Sequence, residues 1–183
     1  MVTKSKLRLP VAALAALALA LGLAACGHES DSKEVAEGHP VKVGELEYNV
    51  TFSRFLNPND NEDVAYLVGQ PEPPEGSSYF GVFFEIKNES EEPQPLPDSF
   101  TVTDTDGNEF EALESESIFA LPFGTEVEPQ EQVPVLDSAA QLGAIEGALA
   151  LFLIPAEASE NRPLILHIPG PDGDEGAEVE LDL

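Results

Sequence analysis

The sequence predicts an all-β fold, an antiparallel β-sandwich or β-barrel, and three observations carry this prediction. Short apolar segments of alternating hydrophobicity are separated by turn residues, 16 prolines are spread along the chain, and no amphipathic helix of useful length is found. Residues 41–183 provide 143 residues, which corresponds to one domain. A domain of this length buries about two-thirds of its surface on folding, so we expect it to fold without disulfide or metal support.

The predicted strands are defined by apolar residues at every second position, the period of a strand with one buried face. The first covers residues 46–52, with Phe52 as its last core-facing residue, and Phe55 breaks the period, which indicates a bulge or the end of the strand. In the clearest strand, FGVFFEI, Phe84 is expected in the core and Phe83 on an opposite, partly covered face. We therefore expect Phe84 to contribute more to stability than Phe83. Further strands are predicted at 100–102, 110–112, 148–154 (a central strand), 164–168 and 177–183, with one helical turn within 137–147.

The segment 104–108 (DTDGN) resembles the beginning of a calcium-binding loop. In an EF-hand loop that began at its first residue, position 6 would require glycine and position 12 glutamate, but these positions hold Glu109 and Ser115. The segment therefore does not fit an EF-hand. The acidic runs around Asp60 and Asp172 also lack ligand spacing, and we interpret them as solvated loops.

The register of the flanking strands favours a turn at the same place. A three-residue loop, 105–107, places Val102 opposite Phe110 on one face, whereas a two-residue loop would place it opposite Glu111. Such a loop has a left-handed residue at its end, where Gly107 stands. The sequence thus predicts that the aspartates are turn formers, and a specific cation site is the alternative.

The sequence offers no recognisable arrangement for catalysis, for a metal or for a cofactor. The histidines are His28, His39 and His167. His167 lies in an alternating strand, where it is predicted to face away from the core, and no serine in a nucleophile-elbow pattern accompanies it. Zinc would require more cysteine and histidine ligands. We therefore expect the protein not to be an enzyme, and we expect Arg54 and Arg162 to pair with carboxylates.

The only cysteine, Cys26, ends an N-terminal segment typical of bacterial export signals. Three basic residues stand within the first eight positions, and residues 10–25 are apolar or glycine, a run too short for a comfortable transmembrane helix. The ending LAAC (23–26) resembles the bacterial lipobox, which implies cleavage before Cys26 and a diacylglyceryl group on its sulfur. Other interpretations are an uncleaved signal anchor and a buried structural thiol. A lone cysteine in an exported protein lacks a partner for an internal disulfide, which favours the lipobox.

The chain is thus divided into a lipoprotein signal peptide (1–25), a disordered acidic tether (26–40) and a β-domain (41–183). The tether is polar with little to bury, and as a flexible chain it would reach about 20 Å. From Cys26 onward, five Lys and Arg stand against 35 Asp and Glu. This negative charge argues against nucleic acid as a partner. It also repels an anionic membrane, so the lipid on Cys26 has to hold the β-domain at the membrane surface.

The order of the segments resembles that of a known family. The resemblance is carried by GVFFEIKNESEEP (81–93), FTVTDTDGNEF (100–110), GALALFLIP (147–155) and RPLILHI (162–168). These segments are similar to uncharacterised bacterial lipoproteins with one immunoglobulin-like domain, which in turn resemble the immunoprotective extracellular antigens of mycobacteria. The resemblance implies an immunoglobulin-like antiparallel β-sandwich over 41–183, without the cysteine–tryptophan–cysteine core of antibody domains. It implies no catalytic residues.

The expected function is that of a lipid-anchored lipoprotein on the extracytoplasmic face of the cell membrane, acting as a non-enzymatic binding or scaffold module at the cell surface. Its expected partners are the membrane, through the lipid on Cys26, and a protein or cell-wall component. The alternative is a calcium-binding or cation-responsive surface lipoprotein that uses its acidic loops, and an extracytoplasmic hydrolase is a third interpretation. The fold does not decide between them, because sandwiches host many functions.

Overall fold

The computed structural model describes residues 33–182, which fold into packed β-sheets with a few short helices. The strands of these residues are β1 (Lys33–Ala36), β2 (Val41–Val43), β3 (Leu46–Leu56), β4 (Ser77–Asn88), β5 (Gln94–Pro95), β6 (Thr101–Thr103), β7 (Glu109–Glu111), β8 (Glu126–Val127), β9 (Gln132–Val133), β10 (Ala148–Pro155), β11 (Leu164–Ile168) and β12 (Ala177–Leu181). The helical elements are α1 (Ala139–Leu142), α2 (Ala156–Glu160) and a 3₁₀ turn (Pro171–Gly173). Within 33–182, no helix is long and apolar enough to cross a membrane.

Two sheets pack face to face as a β-sandwich. The first sheet has the order β1-β12-β11-β6-β7, and the second has the order β10-β4-β3-β2, with β9 paired to the end of β4. All strand pairs are antiparallel except that of β1 with β12. The strands β3, β4 and β10 take the places of strands A, B and E of an immunoglobulin domain, and β6, β11 and β12 take those of C, F and G. The predicted immunoglobulin-like sandwich is therefore confirmed.

Apolar side chains from the facing surfaces of the two sheets form the main core. Val82 and Phe84 of β4 are fully buried on one side of it, and Leu166 of β11 is fully buried on the other. The ring of Phe84 packs on that of Phe100, with centroids 4.9 Å apart. Aliphatic and aromatic packing thus forms this core, without the disulfide and tryptophan that antibody domains use.

The outer surface of the second sheet is also buried, beneath a layer of irregular chain. Three segments, 57–71, 113–123 and 139–147, run over this surface, and we call them the cover layer. Backbone bridges join the second segment to β10. Phe83 points into this layer and is 0% exposed, as is Phe84 in the main core. The expectation that Phe83 is only partly covered is therefore wrong, because the cover layer closes the face that a two-layer sandwich would leave open.

A β-bulge at Thr51 divides β3 and exchanges the faces of its side chains. The pairing of β3 with β4 shifts between Val50 and Phe52, and the hydroxyl of Thr51 donates to the carbonyl of Glu146 at 2.9 Å. Beyond the bulge Phe55 packs against the main core, whereas Phe52 is 43% exposed. The bulge that Phe55 indicates is confirmed. The core position expected for Phe52 is wrong, because the extra residue turns it to the outer face.

The first strand begins inside the segment predicted as a disordered tether (26–40). Residues 33–36 form β1, which pairs in parallel with β12 from Lys33 opposite Ala177 to Ala36 opposite Glu180. The tether prediction is therefore wrong for these residues. Their backbone completes the edge of a sheet, which requires little apolar surface and so leaves a weak signal in the sequence. The predicted signal peptide (1–25) and the rest of the tether up to residue 32 lie outside the described residues.

We expect Phe83→Ala to destabilise the fold by about 3–5 kcal/mol, as much as Phe84→Ala, since each substitution leaves a cavity in a fully buried cluster. Phe52→Ala removes a ring from the same sheet at an exposed position and serves as the control, with an expected cost of about 1 kcal/mol or less. Urea titration of the full chain measures all three. A loss for Phe83→Ala as small as that for Phe52→Ala would contradict the buried outer face.

Candidate binding surfaces

The N-terminal strand is fixed to both sheets through the carboxylate of Glu37. This carboxylate accepts hydrogen bonds from the backbone N–H and the hydroxyl of Ser53, at 3.0 and 2.5 Å, and from the backbone N–H of Asp182, at 3.1 Å. The N–H of Glu37 donates to the carbonyl of Glu180 at 2.9 Å, and the next N–H along the chain donates to the carbonyl of Val50 at 2.8 Å. The chain therefore passes from β12 of the first sheet to β3 of the second at Glu37.

The predicted lipid-attachment residue, Cys26, lies outside the described residues, seven positions before Lys33. Seven residues span at most about 25 Å. The backbone N–H of Lys33 donates to the carbonyl of Gly176 at 3.2 Å, and its ammonium donates to the carbonyl of Lys42 at 2.7 Å. The chain thus enters the sandwich at the end where β12 begins, and the turn at Asp104 lies at the opposite end.

The outer face of the first sheet is a polar surface centred on His167. Two rows of side chains cross its five strands: Glu34, Glu178, His167, Thr101 and Glu111 in one, and Ala36, Glu180, Ile165, Thr103 and Glu109 in the other. His167 faces away from the core, as predicted, while Leu166 and Ile168 are buried. A cavity of about 360 Å³ opens on this face over β1, β11 and β12, lined in part by Glu34, Glu178 and Glu180. Five glutamates of the two rows therefore share the outer face with the imidazole.

His167 stands between a hydroxyl and a carboxylate, in the order of a hydrolase triad. Thr103 Oγ1 lies 2.7 Å from His167 Nε2, and Glu178 Oε1 lies 3.6 Å from Nδ1. Acyl transfer would also need donors for the oxyanion, but β11 pairs with β12 on one side and β6 on the other, which uses its backbone N–H groups. The glutamates of both rows would oppose the negative charge of the oxyanion. The arrangement orients the imidazole between Thr103 and Glu178.

The segment 104–108 forms the predicted turn between β6 and β7. Val102 pairs with Phe110, the register that the three-residue loop requires. Gly107 has a φ of 81°, in the left-handed region that this loop demands. The prediction of a turn is therefore confirmed.

Both oxygens of the buried Asp104 carboxylate are occupied by N–H donors. Oδ1 accepts from the backbone N–H groups of Asp106 and Asn108, at 3.0 and 2.9 Å, and Oδ2 accepts from the amides of Asn108 and Asn161, at 2.8 and 3.2 Å. The Asn108 amide does most to lower the pKa of Asp104 below its ordinary value, against the opposing effect of burial. Among residues 33–182 no group of three His, Cys, Asp or Glu is arranged to hold a metal. A cation at Asp104 would have to displace these donors.

Arg54 forms the predicted ion pair, with the buried carboxylate of Asp63. The other oxygen of Asp63 accepts the backbone N–H of Asn57 at 2.7 Å. This pair fixes the start of the cover layer to β3. Arg162 donates through Nε to the carbonyl of Ser159 at 3.0 Å.

Tyr66 joins the three segments of the cover layer. Its ring packs on that of Phe119, with centroids 4.7 Å apart, and its hydroxyl accepts the backbone N–H of Ile145 at 3.3 Å. The hydroxyl of Ser117 donates to the carbonyl of Ala65, next to Tyr66, at 2.8 Å. The layer is thus held as one surface around the buried ring of Tyr66.

The outer surface of the cover layer exposes large apolar side chains. Ile118 is 76% exposed, Leu142 66%, Val64 49% and Val68 46%. This surface is not predicted by the sequence, because the three segments have the composition of polar loops, and single apolar residues in loops are ordinary. The only signal in the sequence is that each of these residues stands in an acidic segment without a basic residue.

No protein-family model matches the sequence, and no curated protein matches it significantly. Among solved structures, the yjhA protein from Bacillus subtilis is 13% identical, with a TM-score of 0.52 over 81% of this chain and 99% of that chain. An uncharacterized β-sandwich protein from Clostridium difficile 630 is 18% identical over 84% of this chain and 97% of that chain, with a TM-score of 0.49. The secreted protein MPT63 from Mycobacterium tuberculosis is 11% identical over 81% and 97%, also with a TM-score of 0.49. The likeness to the yjhA protein shows a shared fold, and membership of a lipoprotein family stays a prediction.

We expect Glu37→Ala to destabilise the fold by about 1–3 kcal/mol, because it leaves the N–H and hydroxyl of Ser53 buried without a partner. The amides of residues 33–36 should exchange with deuterium faster than in the parent chain. Glu34→Ala, at an exposed position of β1, is the matched control and should leave this exchange unchanged. Equal exchange in Glu37→Ala and the parent would contradict the fixing of β1.

The stability that Asp104 contributes is expected to depend on pH. Its pKa is lower in the fold than in the unfolded chain, so the carboxylate stabilises the fold above the ordinary aspartate pKa of about 3.9 and stops doing so as the pH falls through the folded value. The difference in Tm between the parent and Asp104→Asn should therefore be constant from pH 6 to 8 and shrink below about pH 4. Asn108→Ala, which removes the strongest donor, should weaken this pH dependence. A difference that persists to pH 3 would contradict the assignment.

Proposed function

We propose that the protein is a lipid-anchored extracytoplasmic lipoprotein that acts as a non-enzymatic binding or scaffold module at the cell surface. The observation that carries the proposal is the N-terminal strand. It begins seven residues after Cys26 and is hydrogen-bonded to both sheets through β12 and Glu37. A lipid on Cys26 would therefore hold the sandwich through an integral strand.

The small number of residues from Cys26 to Lys33 supports a module held close to the bilayer. Seven residues span at most about 25 Å, whereas the full predicted tether, fully extended, would span at most about 50 Å. The end of the sandwich at Lys33 would face the membrane, and the end with the Asp104 turn would face away. The outer faces of the two sheets would then form the sides of the anchored domain and remain accessible to a partner.

The polar surface around His167 supports a binding role over an enzymatic one. The imidazole is oriented by Thr103 and Glu178, but the surrounding glutamates and the paired strands offer no stabilisation for a developing oxyanion. The same acidic surface argues against nucleic acid as a partner. The cation-binding alternative lacks a comparable observation, because the best candidate carboxylate, Asp104, already accepts four N–H donors.

The anchor is tested by labelling expressing cells with an alkyne-bearing fatty acid. The parent chain should be labelled and found in the membrane fraction, and Cys26→Ala should be unlabelled. The double variant Cys26→Ala/Ser32→Cys, which keeps one cysteine outside the lipobox, should be unlabelled as well. Label on Cys26→Ala would contradict the anchor, and saturable, stoichiometric calcium binding by the full chain would favour the cation-binding alternative.

A further inference from the structure

We propose that the outer surface of the cover layer is a docking site for a basic amphipathic segment of a partner protein, one with an apolar stripe flanked by Lys and Arg. This inference rests on the proposed function, because it gives the binding module its binding surface and the chemistry of its partner. The site comprises Val64, Val68, Ile118 and Leu142, which we call the apolar patch.

The three segments that carry the residues of the apolar patch meet around Tyr66. Val64 and Val68 stand two positions before and after it. Ile118 stands between Ser117, whose hydroxyl donates to the carbonyl before Tyr66, and Phe119, whose ring packs on Tyr66. Leu142 precedes Gly143, where an added Cβ would lie only 3.1 Å from the ring of Phe119. Each segment of the layer therefore contributes at least one exposed apolar side chain to the surface above a common buried ring.

The exposed apolar surface of the described residues lies on one side of the molecule. The remaining large apolar side chains that are exposed are Phe52, Val135 and Leu136. Phe52 lies on the outer face of the second sheet beside the cover layer, and the other two lead from β9 into α1. The outer face of the first sheet carries none. A concentration of apolar side chains on one side marks an interaction surface, in contrast to the scattered ones that every protein exposes.

The charge around the apolar patch selects the chemistry of its partner. The cover layer and the residues 134–138 that lead into its third segment contain seven acidic residues and no Lys, Arg or His. One of the seven, Asp63, is neutralised by Arg54, and the carboxylate of Glu116 lies against Gly69, the residue after Val68. A second copy would bring two such rims together within a Debye length of about 8 Å, and an anionic bilayer would be repelled likewise. A segment with an apolar stripe and a basic border matches both features.

The test uses a synthetic 18-residue peptide of Leu and Lys that forms an amphipathic helix and carries a photoreactive group on its apolar face. A peptide of the same composition in a scrambled order is the control ligand. Binding to the full chain, purified in a non-ionic detergent, is measured at a fixed detergent concentration, so partition of the peptide into detergent affects all variants equally. Photo-crosslinks should map to the cover layer or to the residues 134–138 that lead into its third segment.

Two pairs of variants separate the apolar and charged parts of the site. Ile118→Ser/Leu142→Ser alters exposed positions, which keeps the fold, and should weaken binding at least about tenfold. Glu114→Gln/Glu116→Gln should weaken binding less and reduce its salt dependence. The matched pair Glu109→Gln/Glu111→Gln, on the first sheet, should change binding less than about twofold, and the scrambled peptide should not crosslink to the cover layer.

Three results would overturn the proposal. Equal weakening by both glutamate pairs, with no effect of Ile118→Ser/Leu142→Ser, would mean non-specific charge attraction. Crosslinks on the first sheet would move the site to the surface around His167. A dimer of the parent chain that Ile118→Ser/Leu142→Ser dissolves would make a second copy the occupant. Fatty-acid labelling of Cys26 is independent of these results, so the anchor stands or fails separately from the docking site.

Discussion

The structure depends on one constraint, which is that the second sheet has to be buried on both faces. Phe84 of β4 packs toward the first sheet and Phe83 packs away from it, and both rings are fully buried. A sheet with two apolar faces needs a layer on each side, and here the second of these layers is irregular chain. Tyr66 and the pair of Arg54 with Asp63 hold that chain in place of secondary structure. The exposed apolar patch follows from this solution, because a thin layer that buries one set of apolar side chains leaves others on its outer side.

The bulge at Thr51 connects this constraint to the N-terminus. By exchanging the faces of β3, the bulge turns Ser53 inward, where its N–H and hydroxyl need acceptors. The carboxylate of Glu37 supplies both and also binds the N–H of Asp182. Although β1 is short, the bulge in β3 of the second sheet therefore makes it necessary for the fold. The segment nearest the predicted anchor is consequently part of the fold.

The sequence predicts the features that depend on local pattern, and it does not predict those that depend on contacts between distant parts of the chain. Alternation predicted β4 and β11, and register predicted that Gly107 closes a three-residue loop, because period and turn geometry are local. The burial of Phe83 was missed because the cover layer has no period of its own. The strand at Lys33 was missed because an edge strand is specified by backbone hydrogen bonds, which any polar sequence makes. The hydroxyl beside His167 comes from Thr103, 64 positions away in the chain, and no spacing motif connects the two.

The net negative charge of the chain explains how the apolar patch can remain exposed. An exposed apolar surface on a neutral protein invites self-association, whereas copies of this chain repel one another through 35 acidic residues. The charge thus permits the patch to stay exposed. It also acts on any partner, because an acidic or neutral amphipathic segment would meet the carboxylates of Glu114 and Glu116 without compensation. Discrimination between basic and other amphipathic segments comes from repulsion of the wrong partner as much as from attraction of the right one. Such discrimination does not require a binding pocket.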